Sequence, residues 1–415
     1  MQYRITSPNT LRGQIQLPAS KSISNRTLLI NALSGNTELP QNVSDCDDTR
    51  VMLAALQNHG FHNNLPINIG AAGTAMRFLT AYFSVTNGIH LLTGSERMKQ
   101  RPIRVLVEAL RSLGAHIEYA GEEGFPPLHI EGQNLHGGDV ELAGNVSSQY
   151  ISALLMIGTV LEQGLTLTLT GGIVSRPYID LTLQIMRSFN ANAAWTHSNV
   201  IRVEPQPYTA RPYFIENDWS GASYWYEMMA LTPDPEAHLT LAGLFRHSDQ
   251  GDARVQEFFE ALGVTTEPHT NGVTLRKIPP TQGTLQLNLT HQPDLAQTLV
   301  VTCVMQKRAF HFTGLQSLKI KETDRIKALC CELAKLGYDL KEANDAELFW
   351  NGEYSAPQQH AVIETYDDHR MALAFAPCAL VLPVLRINHP EVVSKSYPQY
   401  WENLEQVGFK IEKQL

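Results

Sequence analysis

The chain has 415 residues, 43% of them apolar and 18% charged, which supports a sizeable core and excludes a disordered polypeptide. Its net charge of −9 excludes general affinity for nucleic acid or a membrane surface, where a basic excess supplies the attraction. The length exceeds what one core serves, so two domains of about 200 residues each are expected.

The opening stretch, MQYRITSPNT, carries no signal-peptide apolar region, so a cytoplasmic location is expected. The first helix starts at SKSISNR, residues 20–26, directly before the apolar run TLLINAL. Lys21, Ser22 and Arg26 thereby join a helix start that already presents free N–H groups and partial positive charge. That combination predicts an anion held by backbone and side chains together. ELPQNVSDCDDTRVMLAALQNHGF, from 38, reads as a second helix ended by Gly60. AAGTAMR then opens a third, with Gly73, Thr74 and Arg77 at its start.

LLTGSERMKQRPIRVLVEALRSLGA, 91–115, reads as a strand, a Thr-Gly turn and a polar loop bearing Arg97, Lys99 and Arg101. A helix follows, with Pro102 at its first turn and Gly114 as cap. Ser147, Ser148 and Gln149 begin the next apolar helix; Ser175, Arg176 and Tyr178 begin another, which ends at Asn190. A domain break is expected near 218–222, inside ENDWSGAS. Beyond it, TLAGLFRHSDQGDARVQEFFEALGV ends at Gly263, and Asp294 sits at the helix start HQPDLAQ. Lys319, Lys321, Glu322, Asp324 and Arg325 crowd LKIKETDR, before a helix capped at Gly337. Asp367, Asp368, His369 and Arg370 precede the run MALAFAPCALVLPVL. That run has 15 residues and two prolines, too short to span a bilayer, and reads as a core helix followed by a strand. Lys395 and a cap at Gly408 close the chain.

These segments repeat one sentence six times: an apolar helix with a polar start, a capped amphipathic helix, and alternating strands such as LTLTLT and TLQLNL. A solenoid is the bland reading of such a repeat. Long units, one short first interval and polar clusters at half the helix starts favour two closed three-unit domains instead. Matching ends of the units then converge on one cleft rich in Lys, Arg, Ser and helix N-termini, suited to a substrate with more than one anionic group. Carboxylates embedded among those cations are candidate acid–base groups. The five cysteines are odd in number and lack Cys-x-x-Cys spacing, so reduced, buried thiols are expected rather than a zinc site or disulfide frame.

The motifs LPASKSISNRTLL, GTAMR, RMKQRPI, VSSQYISALLM, SRPYIDLTL, IKETDRI, DHRMA and SKSYPQYW, in this order over nearly the whole chain, resemble the 5-enolpyruvylshikimate-3-phosphate synthase family. The resemblance implies a two-domain inside-out α/β barrel with three βαβαββ units per domain. Residues 18–219 would form the domain on the shikimate 3-phosphate side. Residues 1–17 with 220–415 would form the phosphoenolpyruvate side, and the active site would lie in the cleft between them. It implies transfer of the enolpyruvyl group of phosphoenolpyruvate to the 5-hydroxyl of shikimate 3-phosphate by addition and elimination, with release of phosphate. No metal or cofactor is implied, and a monomer suffices. Carried over by motif, Lys21, Ser22, Arg26, Ser147, Ser148, Ser175, Tyr178, Asp294, Ser317 and Lys321 hold shikimate 3-phosphate. Lys21, Gly73, Arg101, Gln149, Arg325, Arg370 and Lys395 hold phosphoenolpyruvate. Asp294, Glu322 and Lys21 are the catalytic set, and Gly73 implies sensitivity to glyphosate. The sequence departs from the family pattern at Ala71, where Asn is usual, at Phe78, where Pro is usual, and at Ser317, where Asn is frequent. Two rivals stay open here: the sister transferase acting on UDP-N-acetylglucosamine, and a non-catalytic anion-binding relative. The absence of a cysteine in LLTGSERMKQRP and the pair Lys21-Ser22 disfavour the sister; retention of Asp294, Glu322 and Arg325 disfavours the second.

Overall fold

The computed structural model describes residues 1–58 and 65–414. The chain forms two compact units, one made of residues 1–18 and 216–415, the other of 19–215. Each has its own apolar core.

Four sheets share one strand plan. In the second unit, Gly138–Ala143 pairs in parallel with Leu165–Thr170, which pairs antiparallel with Val200–Val203, itself antiparallel to Ala193–His197. Ile67–Asn68, Gly88–Thr93, Leu128–Gly132 and His116–Tyr119 repeat that order. The first unit repeats it with Arg12–Gln16, His238–Ala242, Gly272–Lys277 and Val264–His269. Leu285–Asn288, Phe310–Thr313, Glu347–Trp350 and Lys341–Ala343 form its second copy. The strand Gln2–Thr6 lies between Leu385–Asn388 and Lys410–Gln414, so the chain start completes a sheet built mostly by the chain end. The alternation in LTLTLT is why Leu165, Leu167 and Leu169 face the core while the threonines face away.

Two helix types recur six times. Lys21–Leu33, Gly73–Ser84, Ser148–Ile157, Trp219–Leu231, Ala296–Met305 and His369–Phe375 are buried along most of their length. Asp47–Asn58, Arg104–Ser112, Arg176–Ser188, Val255–Ala261, Arg325–Lys335 and Tyr400–Gln406 bury one face. Five of the expected caps have left-handed backbone: Gly114, Gly263, Gly337 and Gly408 at φ between 92° and 103°, and Asn190 at φ 67°. Asn serves at 190 because its short polar side chain tolerates that region. The sixth, Gly60, lies outside the described residues.

Some expectations change. The loop at 95–101 contains a single helical turn, Glu96–Lys99, because Ser95 caps it by accepting from the Met98 N–H at 3.3 Å. Pro102 lies just before the helix that starts at Arg104 instead of inside its first turn. Cys46, Cys303 and Cys378 are buried as expected, but Cys330 is half-buried and Cys331 exposed. Neighbouring positions on a helix point about 100° apart, and residue 331 falls on the solvent side. Among the described residues, no helix is long and apolar enough to cross a membrane.

Candidate active site

In the second unit, Ser20 caps the helix Lys21–Leu33, its Oγ accepting from the Ile23 N–H. Lys21 Nζ reaches Asp48 Oδ2 at 3.2 Å, at the start of the neighbouring helix Asp47–Asn58. Arg26 lies one turn further in and is buried. Its Nε donates to Thr182 Oγ1 at 2.7 Å, Nη1 to the Ser22 carbonyl at 2.9 Å, and Nη2 to Ser152 Oγ and the Tyr178 carbonyl, each at 3.3 Å. Burial lowers its pKa to about 10, with Tyr178 pushing the other way. All four acceptors are neutral oxygens. Ser175 caps the helix Arg176–Ser188 with φ 53°, followed by Pro177 in the first turn. Ser147 caps the helix that Ser148 begins, and Gln149 Nε2 donates to Thr74 Oγ1 at 3.1 Å. Gly73 opens Gly73–Ser84 against the guanidinium of Arg101: a Cβ there would stand 2.7 Å from Nη1. Lys21, Ser22, Arg26, Gly73, Arg101, Ser147, Ser148, Gln149, Ser175 and Tyr178 therefore all sit at or near starts of this unit's helices. Lys99 pairs with Glu96 at 2.7 Å on the surface.

The first unit collects the carboxylates. Asp294, in the turn Pro293–Leu295, accepts from Arg325 at 3.2 Å and from Arg370 at 2.9 Å, with Lys321 at 3.6 Å. Glu322 accepts from Arg325 at 2.9 Å and from Lys395 at 2.9 Å. Arg325 also donates from Nε to Asp368 Oδ2 at 2.7 Å, so one buried guanidinium holds three carboxylates. Burial alone would lower the pKa of Arg325, but Asp368, Glu322 and Asp294 raise it above the ordinary arginine value. Burial holds Lys321 below the ordinary lysine value, against the pull of Asp294. Asp368 caps His369–Phe375 by accepting from the Arg370 N–H at 2.9 Å, and Arg370 Nη1 reaches the Tyr224 hydroxyl at 3.2 Å. His369 is buried beside it, Nδ1 3.7 Å from Asp368 Oδ1. Ser317 stays half-buried in the turn Gln316–Ile320, outside this ion-pair cluster, while its neighbour Lys319 turns to Glu342 and Asp345.

Sequence reading missed Asp48, Ser152, Thr182 and Tyr224, and placed Asp368 only among the candidate acid–base carboxylates, not as the partner of Arg325. Each is a buried residue with a polar group on a helix or capping one, and for Ser152, Thr182 and Tyr224 the signal that could have found them is a polar group within an apolar run.

Repeated sheets with paired helices, and helix starts laden with cations and acids, define a two-unit α/β protein built to hold anionic ligands. The sequence model of EPSP synthase (3-phosphoshikimate 1-carboxyvinyltransferase) matches residues 5–404. A 3-phosphoshikimate 1-carboxyvinyltransferase of Bacteroides fragilis is 58% identical over 412 residues, 99% of either chain. One from Aliivibrio fischeri is 36% identical, covering 96% of this chain and 97% of its own. The chain belongs to the EPSP synthase family. Its fold matches the solved EPSP synthase of Acinetobacter baumannii with a TM-score of 0.77 at 21% identity, covering 99% of this chain and 100% of that one. It also matches the enolpyruvyl transferase NikO of Streptomyces tendae with a TM-score of 0.72 at 15% identity, covering 99% and 98%.

Proposed function

We propose that the two half-sites act together on phosphoenolpyruvate and shikimate 3-phosphate, with the residue roles set out below. The enzyme is a 3-phosphoshikimate 1-carboxyvinyltransferase of the shikimate pathway, supplying aromatic amino-acid biosynthesis. The family match and the relatives' names do not favour the UDP-N-acetylglucosamine alternative. The single observation that supports the roles is Arg325 bridging Asp294 and Glu322, since it orients both carboxylates from one buried, charged anchor.

Lys21, Ser22, Arg26, Ser147, Ser148, Ser175, Tyr178, Asp294, Ser317 and Lys321 take shikimate 3-phosphate. Lys21, Gly73, Arg101, Gln149, Arg325, Arg370 and Lys395 take phosphoenolpyruvate. In the addition step, the acceptor hydroxyl gives its proton to Asp294, assisted by Lys21, and attacks C2 of phosphoenolpyruvate. Glu322 in its protonated form, or another acid, supplies a proton to the methylene carbon, making a methyl group in a tetrahedral intermediate and leaving the acid ionised to take the proton back. In the elimination step, that methyl group returns a proton as phosphate leaves, restoring the double bond. The clustered cations stabilise charge as it moves between carboxylate and phosphate.

Within this reading, residues 18–219 form the shikimate 3-phosphate side and 1–17 with 220–415 the phosphoenolpyruvate side, closing on the substrates as a cytoplasmic monomer. The test mixes purified protein with both substrates and follows phosphate release. Glu322→Gln and Asp294→Asn should each lower kcat at least a hundredfold, about 3 kcal/mol of barrier. No phosphate from the unaltered enzyme would sink the proposal; full activity in both variants would sink the assigned roles.

A further inference from the structure

Arg26 and Arg325 are both buried arginines, but their charges are met in opposite ways. Arg325 is surrounded by Asp294, Glu322 and Asp368. Among the described residues, Arg26 donates to the neutral oxygens of Ser22, Ser152, Tyr178 and Thr182, and burial depresses its pKa. What meets its charge is an aromatic face. The guanidinium carbon stands 5.4 Å from the ring centroid of Phe78, which is fully buried in the helix Gly73–Ser84. That distance lies within the range of a cation–π interaction, and burial strengthens it by removing water. Phe78 is also a position where the sequence departs from its family's usual proline.

We propose that Phe78 is a positioning residue for the acceptor half-site: its π face keeps the Arg26 guanidinium charged and oriented without neutralising it. A carboxylate in the same place would hold the arginine more tightly, but it would cancel the charge and compete with an anionic ligand. A ring quadrupole stabilises the cation and leaves its net charge available. Specificity for an anionic acceptor therefore rests partly on a residue that never touches that acceptor. The inference relies on the assignment of Arg26 to shikimate 3-phosphate.

The test reads binding of shikimate 3-phosphate alone, then steady-state kinetics with both substrates. Phe78→Leu keeps an apolar side chain and removes the ring; it should weaken shikimate 3-phosphate binding about three- to tenfold. The KM for phosphoenolpyruvate and kcat should stay within about twofold. Because Leu also alters packing, a second series places 4-fluoro- and 3,5-difluorophenylalanine at position 78. These retain the ring's shape while draining its face of electron density, so affinity should fall stepwise with fluorination. Equal affinity across the fluorinated series, or equal losses for both substrates, would overturn the role of Phe78. Failure of the unaltered protein to bind shikimate 3-phosphate would instead overturn the functional reading beneath it.

Discussion

Glu227 lies within the helix Trp219–Leu231 with no exposed surface, and neither carboxyl oxygen has a hydrogen-bond partner among the described residues. Burial pushes its pKa well above the ordinary carboxyl value. The folded protein therefore keeps this proton to higher pH than the unfolded chain, which releases it near pH 4.3. Stability from this group is whole below that pH and falls as pH rises, by about 1.4 kcal/mol per unit while the folded form keeps its proton. Glu227→Gln removes the titration but buries an amide, at an offset of about 1–2 kcal/mol that does not change with pH. Above the unfolded pKa, the variant should thus gain on the parent by about 1.4 kcal/mol for each pH unit over which the folded parent keeps its proton. Urea unfolding followed by tryptophan fluorescence reads this directly, since Trp219 and Trp225 are buried in the same helix. Parallel stability curves, with a parent–variant difference independent of pH, would show that Glu227 is ionised in the fold and refute the reasoning.

Gly73→Ala places a methyl group 2.7 Å from Arg101 Nη1, so the guanidinium must move. The KM for phosphoenolpyruvate should rise about tenfold or more, the worth of one charge-assisted hydrogen bond, with glyphosate inhibition weakened in parallel. Unchanged KM and inhibition constants would count against that contact. Lys321 is held below the ordinary lysine value by burial, so it loses its charge at lower pH than a free lysine does. Shikimate 3-phosphate affinity should therefore fall on the alkaline side, and Lys321→Arg should move that limb upward; coincident pH profiles would refute it. Tyr366 and Asp367 both have φ of 54°, and the Tyr366 hydroxyl donates to the buried Glu332 at 2.6 Å. That bond tethers a strained turn directly before Asp368 and Arg370. Tyr366→Phe should cost about 1.5–3 kcal/mol of stability and lower kcat more than it raises KM, measured by urea unfolding and phosphate release. A change in stability alone would show that the turn has no part in placing those two residues.

The repeat was legible because each copy must solve the same local problem. Alternating leucines in LTLTLT make a half-buried strand, an apolar run behind a polar start makes a buried helix, and Gly or Asn at 114, 190, 263, 337 and 408 permits left-handed caps. Those constraints act over a few residues, so they are written in order along the chain. The site motifs were legible for the same reason, as Lys21, Gly73, Ser147, Ser175 and Arg370 all lie at helix starts. What the chain order does not carry is partnership at long range. Asp48 beside Lys21, Thr182 and Ser152 around Arg26, and the single arginine joining Asp294 to Asp368 depend on contacts across 27 to 156 residues, whereas its bond to Glu322 spans one helical turn. The strand Gln2–Thr6 pairing beside Lys410–Gln414 is the same kind of fact. Local sequence dictates which groups are available, because propensity and capping are nearest-neighbour effects. Only tertiary packing decides which buried charges meet a carboxylate and which meet a ring, because desolvation makes that choice where distant segments close together.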